Sequence, residues 1–460
     1  MTSNAIKNLT VSTIVLFSFL LIIASTINPT YAIYSLGSLS VLFLLFLFIV
    51  GRLNALHYVM ILIPFLVLSP EIALPNLPAA RLDDFWLLCG LIIITFKTII
   101  AKNIEFNIPN YTKWFLLFVA WIVFTIFLSS YREPNLYTIR DWLEPYKALK
   151  LIVLLVLMTT IKMDNQDKQK IIKNFLFTML IASIFGFVQY FNLWDINSWL
   201  SHYYVDNELQ AFNLETQNRV VSTFGNSNVF GGALLIAIAF SLANFLSDLR
   251  FRHFMYTSVF FIALITTMSR TVFLLSLILV FLMTIGFIKK KKLGLKSFLA
   301  LSSLPFVGIL GLTLAPDRFF YRMQFLGDIL NDTSFQARLI MWNYIFEDRT
   351  KINLLTGTGP VKNLHFYYDN EWLMLLTIYG AVGVVLFVII FGSIYFAAKR
   401  IEDFNFYSIA VQSLIIVIAG YMITLPFYHD LQLAPMFILV LGVVLNKTAI
   451  NNYRTNDNRK

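Results

Sequence analysis

Seven charged residues and one histidine carry the chemistry this chain offers. The arginines are Arg219 in "NRVVSTFGNSNVFGG", Arg270 in "TMSRTVF", Arg318 and Arg322 in "PDRFFYRMQF", and Arg338 in "SFQARLIMW". The carboxylates are Asp369 and Glu371 in "FYYDNEWLMLLTIYG", with His365 four residues ahead of Asp369. A guanidinium is planar, keeps its charge when partly desolvated and takes phosphate oxygens two at a time. Arg270 stands between two apolar runs with no loop to hold it, so it belongs at or just inside a boundary where an unpaired charge is costly. A charge pair at 4 Å is worth about 1 kcal/mol in water and about 4 kcal/mol at an effective dielectric of 20, so half-buried arginines meeting at one depth make a strong anion clamp. Such a clamp can stabilise a diphosphate as it leaves, without a metal ion. The plainer reading stays open: arginines snorkel at helix ends, Asp369 or Asn370 caps the following helix, and Glu371 complements the positive end of its dipole.

Other patterns are weaker. Asp83 and Asp84 are adjacent rather than spaced as ligands and read as solvated carboxylates at a helix start; the five histidines are scattered. Cys89 is alone inside an apolar run, where it packs. No metal, no other cofactor and no disulfide is expected. "TGTGP", Thr356 to Pro360, is a glycine-rich turn without the strand a nucleotide-binding loop needs. "GNSN" before "VFGG" caps the next helix, and Gly231 and Gly232 let that helix approach a neighbour closely.

The elements that position these residues follow from composition. The chain has 460 residues, 58% hydrophobic, 16% aromatic and only 13% charged, with mean hydropathy +0.74. That excludes an ordinary soluble domain. At 1.5 Å per residue a bilayer core needs roughly 20 apolar residues, and about fourteen runs approach this, several of them short. The runs are continuous rather than alternating, so the fold expected is all-α: a polytopic transmembrane bundle of about 12 to 14 spans. The organisation predicted is N-terminal spans over 1–194, an outer loop over 195–229, central spans over 230–315, a large outer loop over 316–371, and C-terminal spans with a tail over 372–460. The first run is read as a retained span rather than a cleaved signal peptide.

Lysines and arginines gather in "KNIEFNIPNYTK", "IKMDNQDKQKIIK", "LRFRH", "KKKKLGLK", "AAKRIED" and the tail, which fall on one side of a fourteen-span chain. That side is expected to be cytoplasmic, with both termini inside. The net charge of +10 is then topology signal and lipid attraction, with no nucleic-acid partner implied. In the large outer loop, Phe335, Leu339, Trp342, Ile345 and Phe346 recur at helical spacing after Asp332-Thr333-Ser334, which predicts an amphipathic helix lying on the membrane surface or capping the bundle. "SSYREPNLYTIRDWLEPYK", with Arg132 and Arg140, is a third outer amphipathic segment. Buried ionisable residues or broken helices at mid-membrane, the marks of a transporter, are not evident, because the charges gather at one face.

"RVVSTFGNSNVFGG", "TMSRTVFLLSL", "SFQARLIMWNYIF", "LLTGTGP" and "YYDNEWLMLLTIYGAVGVV", in that order, resemble the O-antigen polymerase and ligase family of bacterial surface-polysaccharide assembly. The resemblance covers about 218–386; the N-terminal half shares only hydropathy. It implies a multi-span type C glycosyltransferase of the bacterial inner membrane, working at the periplasmic or outer face on oligosaccharides carried by undecaprenyl diphosphate, without metal. It implies diphosphate contacts for Arg219, Arg270 and Arg338, and a chain-length regulator as a partner besides membrane lipid. Ligases of the family show His-Asn where this chain has Asp369-Asn370. The departure favours a polymerase that joins repeat units over a ligase acting on lipid A core or protein, with Asp369, Glu371 or His365 as the proton acceptor. A lipid-linked oligosaccharide flippase or exporter is the alternative from another class.

Overall fold

The computed structural model describes residues 109–132, 134, 137–160, 163, 165–203, 208–290, 333–345, 347, 353–360, 369–401 and 405–446, all within the unit Glu105–Lys460. Every regular element among them is helical. In chain order these are α1 (Thr112–Arg132), α2 (Leu143–Thr160), α3 (Asn165–Tyr190), α4 (Ile196–Tyr203), α5 (Glu208–Gln217), α6 (Ser227–Asp248), α7 (Phe251–Thr266), α8 (Arg270–Lys289), α9 (Thr333–Ile345), α10 (Glu371–Lys399), α11 (Asn405–Tyr421) and α12 (Leu433–Leu445). Among the described residues, α1, α3, α6, α8 and α10 are long and apolar enough to cross a membrane. The chain is therefore a polytopic helical membrane protein. The spans expected before residue 109 and over 297–315 lie outside the described residues, as do Asp83, Asp84 and Cys89.

The core is built around α6, which is buried along nearly its whole length and packs against α3, α7, α8, α11 and α12. Its start follows the expected cap: the Asn226 side chain accepts a hydrogen bond from the Asn228 amide (2.8 Å). One orphan donor of the first turn is thereby satisfied. Gly231 lies against Val272 of α8, and Gly232 against Leu433 of α12 and the Tyr421 hydroxyl, so the close approach expected of this glycine pair is present. The second layer is α1, α2 and α10, with α2 packed on α12 and α10 on both α1 and α11.

Hydrogen bonds between neighbours fix which helix ends lie together. At one end the Ser408 hydroxyl donates to the Ala398 carbonyl, Tyr407 bonds Asn244, and Lys168 bonds the Asn446 carbonyl. Lys168, Lys170, Lys173, Arg250, Arg252, Lys289, Lys290, Lys399 and Arg400 all belong to this basic end. At the other end the Glu371 amide donates to the Met422 carbonyl (2.8 Å), the Tyr421 hydroxyl to the Asn228 carbonyl (3.1 Å) and the Val220 amide to the Thr266 carbonyl (3.2 Å). Arg219, Arg270, Asp369 and Glu371 stand there.

Helix α10 is not continuous. Bonds from Glu371 and Ala398, near its two ends, reach Met422 and Ser408 at the two ends of α11. At helical rise a straight α10 would separate its bonded residues by roughly 40 Å, whereas α11 holds their partners roughly 21 Å apart. The helix bends at Gly380, whose φ is 67° and whose ψ is fully extended. That combination is open essentially to glycine alone. The break is filled by the "TGTGP" turn. The Thr358 and Gly359 amides donate to the Thr377 and Ile378 carbonyls (2.8 and 2.9 Å), and the Ala381 and Val382 amides donate to the Leu354 and Leu355 carbonyls (2.8 and 3.4 Å). Trp121 of α1 supplies its indole N–H to the Tyr379 carbonyl (2.8 Å). Backbone groups freed in lipid must find partners in protein, and this turn with Trp121 provides them. The expectation of unbroken spans is overturned here, because a glycine in an apolar run does not disturb hydropathy.

Candidate functional site

Arg219 sits in the irregular segment 218–221, which ends in a 3-10 turn, Ser222–Phe224. That segment is held by Gln189 of α3, fully buried, whose amide nitrogen donates to the Ser222 carbonyl (2.9 Å) and whose oxygen accepts from the Val221 and Ser222 amides (3.2 and 2.7 Å). So anchored, the half-buried Arg219 places Nε 3.3 Å from the Thr267 carbonyl and Nη2 3.3 Å from Asn228 Oδ1. Arg270, also half-buried, opens α8 directly after Ser269, three residues beyond that Thr267 carbonyl. Arg219 and Arg270 therefore occupy one neighbourhood at the non-basic end of α6, α7 and α8.

Arg338 lies on α9, a helix where one was expected, but not the amphipathic one predicted, because its exposed face carries Ile340, Met341 and Tyr344. Phe335, Arg338, Leu339, Trp342 and Ile345 form its less exposed face, and Gln336, Ala337, Ile340, Met341, Asn343 and Tyr344 its exposed one. Ile345 is buried against Met374 of α10, with Leu373 and Ile378 beside them, which docks α9 over the first turns of the broken helix. Arg338 Nε donates to Asp369 Oδ2 at 3.3 Å, with the Asp369 side chain 55% exposed. The contact joins two residues singled out from sequence. It is worth at most about 1 kcal/mol at that exposure, so stability does not explain it.

The cap and the dipole partner resolve into different roles. Asn370 is the N-cap of α10, its Oδ1 accepting from the Leu373 amide (3.0 Å), and Asp369 stands outside the helix. Glu371 is completely buried. Its Oε2 accepts from the Phe427 amide (2.7 Å) and the His429 amide (3.4 Å), and its Oε1 meets His429 Nδ1 at 2.5 Å. Glu371 stands in the first turn of α10, as the dipole reading expected, and these contacts add a second role: it clamps the α11–α12 turn onto the start of α10.

On the far side of the imidazole, Nε2 faces Glu144 Oε2 at 3.5 Å. Glu144 accepts from the Tyr379 hydroxyl (3.1 Å) and pairs with Lys147 (3.2 Å). The Tyr379 ring stacks parallel to His429 at 6.4 Å. Burial, then the Glu144 and Glu371 carboxylates, push the Tyr428 phenol in the same turn well above its ordinary range, so it stays neutral. The two carboxylates address opposite ring nitrogens and do not converge on a point. Among the described residues no group of His, Cys, Asp and Glu is arranged to hold a metal ion.

Glu144 and His429 were missed from sequence. Glu144 is the second residue of an apolar helix, and His429 lies in the connection 422–432 between two apolar runs. An ionisable residue so placed is the one signal that pointed to it. His365, Arg318 and Arg322 lie outside the described residues. Arg132 bonds the inserted turn instead of joining a charge cluster, its Nη1 donating to Asn353 Oδ1 (2.6 Å) and Thr356 Oγ1 (3.2 Å), and Arg140 is exposed.

A chain of contacts links the candidates: Arg338 to Asp369, Glu371 to Met422, Tyr421 to Asn228, and Arg219 to Asn228 and Thr267, beside Arg270. Compared with models of known protein families and with curated protein sequences, the chain matches none.

Proposed function

We propose that this protein is a bacterial surface-polysaccharide polymerase of the inner membrane. It transfers a growing glycan from undecaprenyl diphosphate to the terminal hydroxyl of an incoming lipid-linked repeat unit. The observation that carries the reading is that Arg219, Arg270, Arg338 and Asp369, drawn from four separate segments, share the non-basic end of the bundle, with Arg338 and Asp369 in contact. The order of the sequence motifs supports the same assignment. Arginines at that depth hold the diphosphate and favour its departure, and Asp369 takes the hydroxyl proton as the new glycosidic bond forms. Direct displacement inverts the anomeric centre. The basic end then faces the cytoplasm and the site faces outward.

A ligase is the runner-up among enzymes. Lipid-linked glycan export is a second reading that two observations favour: the break in α10 and the buried Glu144, His429 and Glu371 beside it. Discontinuous helices and buried ionisable groups mark transport pathways. Full-length protein in vesicles, given undecaprenyl-diphosphate-linked repeat units, separates the three. A polymerase lengthens the glycan on its lipid, a ligase moves it to a lipid A core acceptor, and an exporter changes its leaflet with no new bond. Absence of lengthening refutes the proposal.

A further inference from the structure

We infer that Glu144, His429 and Glu371 form a buried proton-binding site, in which the ring holds one exchangeable proton between two carboxylates. Three elements build it. From α2 come Glu144 and Lys147; from α10, Glu371 and Tyr379; from the turn itself, His429, Tyr428 and Asp430, the last accepting from the Gln432 and Leu433 amides at the start of α12. α1 adds the ring of Phe118, edge-on to Tyr379 and Tyr428.

An imidazole with one proton has one donor and one acceptor nitrogen. Here each nitrogen faces a carboxylate oxygen, Nδ1 at 2.5 Å and Nε2 at 3.5 Å, and Nε2 is buried without any shorter partner. A singly protonated ring would turn a lone pair toward one anion. A ring protonated on both sides gives each carboxylate an N–H.

Charge points the same way. The Tyr379 hydroxyl donates to Glu144, and Glu371 Oε2 accepts from the backbone amides of 427 and 429. Both carboxylates are thus already engaged as hydrogen-bond acceptors. A cationic ring then presents an opposite charge to both, whereas with a neutral ring Glu144 keeps Lys147 as its counter-charge and the buried Glu371 loses the cation that faces it, which is unfavourable inside a bundle. The proton is shared by the cluster rather than owned by one residue. Its loss would leave the buried Glu371 without the opposite charge that faces it where α2, α10 and the α11–α12 turn meet. Proton occupancy thereby holds this junction closed.

The inference stands apart from any catalytic reading and has a direct spectroscopic test. Full-length protein labelled with 15N-histidine in lipid nanodiscs has only five histidines to distinguish. At neutral pH the resonance assigned to His429 is expected to show two protonated ring nitrogens. Glu144→Gln removes one negative charge and should yield loss of the Nε2–H signal, leaving a neutral ring with its proton on Nδ1. Glu371→Gln should yield the opposite tautomer, with the proton on Nε2, and serves if the first variant does not fold. A wild-type ring with a single protonated nitrogen, or a ring whose protonation neither substitution changes, overturns the inference.

Discussion

Replacing Gly380 by alanine should unlatch the broken helix. At its left-handed φ and extended ψ a side chain costs about 1–3 kcal/mol in backbone strain. A Cβ built there would also lie 2.3 Å from the Leu355 carbonyl oxygen and 2.6 Å from the Gly357 amide nitrogen, both backbone atoms that cannot swing aside. The turn must then retreat, weakening the bonds that run from Ala381 and Val382 to Leu354 and Leu355. Each of these is worth about 0.5–1.5 kcal/mol net. The sum is about 2–6 kcal/mol, a large part of the stability of a typical domain. Gly392 lies in the same helix with nothing within 4 Å of its added Cβ. Alanine there should be neutral or stabilising by about 0.5–1 kcal/mol. Chemical unfolding of the two variants in detergent, followed by tryptophan fluorescence because Trp121 bonds the break itself, measures the difference. Equal stability for Gly380→Ala and Gly392→Ala would refute the account of α10.

Glu371→Ala should cost about 3–5 kcal/mol, as expected when one partner of a buried pair is removed. It strands the His429 ring and the Phe427 amide, and unfolding midpoints check it. Asp369→Ala, two residues away but exposed, should lower stability by no more than about 1 kcal/mol while abolishing glycan lengthening in vesicles. Asn370→Ala should lose about 1 kcal/mol of helix cap and retain lengthening, separating the cap from the chemistry. Ile345→Ala empties the buried contact with Met374 and should loosen α9, seen as faster proteolysis within 333–345 while the bundle stays folded.

Much of this architecture was legible as hydropathy and periodicity. The expected spans from 114 onward correspond to α1, α2, α3, α6, α7, α8, α10, α11 and α12, except the run over 297–315, which lies outside the described residues. The stripe through Phe335, Leu339, Trp342 and Ile345 predicted α9 and its buried face, because side chains three and four apart share a helix face whatever the fold. The caps at Asn226 and Asn370 were equally local. What escaped the sequence depends on residues far apart in the chain. The break at Gly380 requires the 353–360 turn and Trp121, and a hydropathy window averages over it. The cluster of Glu144, Glu371 and His429 assembles from three elements, and their meeting is tertiary. The site itself was half legible: Arg338 and Asp369 were named separately, and their pairing is tertiary.

The central claim is that the arginines and Asp369 transfer glycan from a lipid diphosphate. The most direct measurement follows undecaprenyl-diphosphate-linked repeat units incubated with full-length protein and with Arg219→Ala, Arg338→Ala and Asp369→Ala forms of matched stability. The account predicts stepwise lengthening with inverted anomeric configuration for the unaltered protein, and none for the three variants. Lengthening that survives Arg338→Ala and Asp369→Ala, or repeat units that change leaflet without forming a new glycosidic bond, would contradict it.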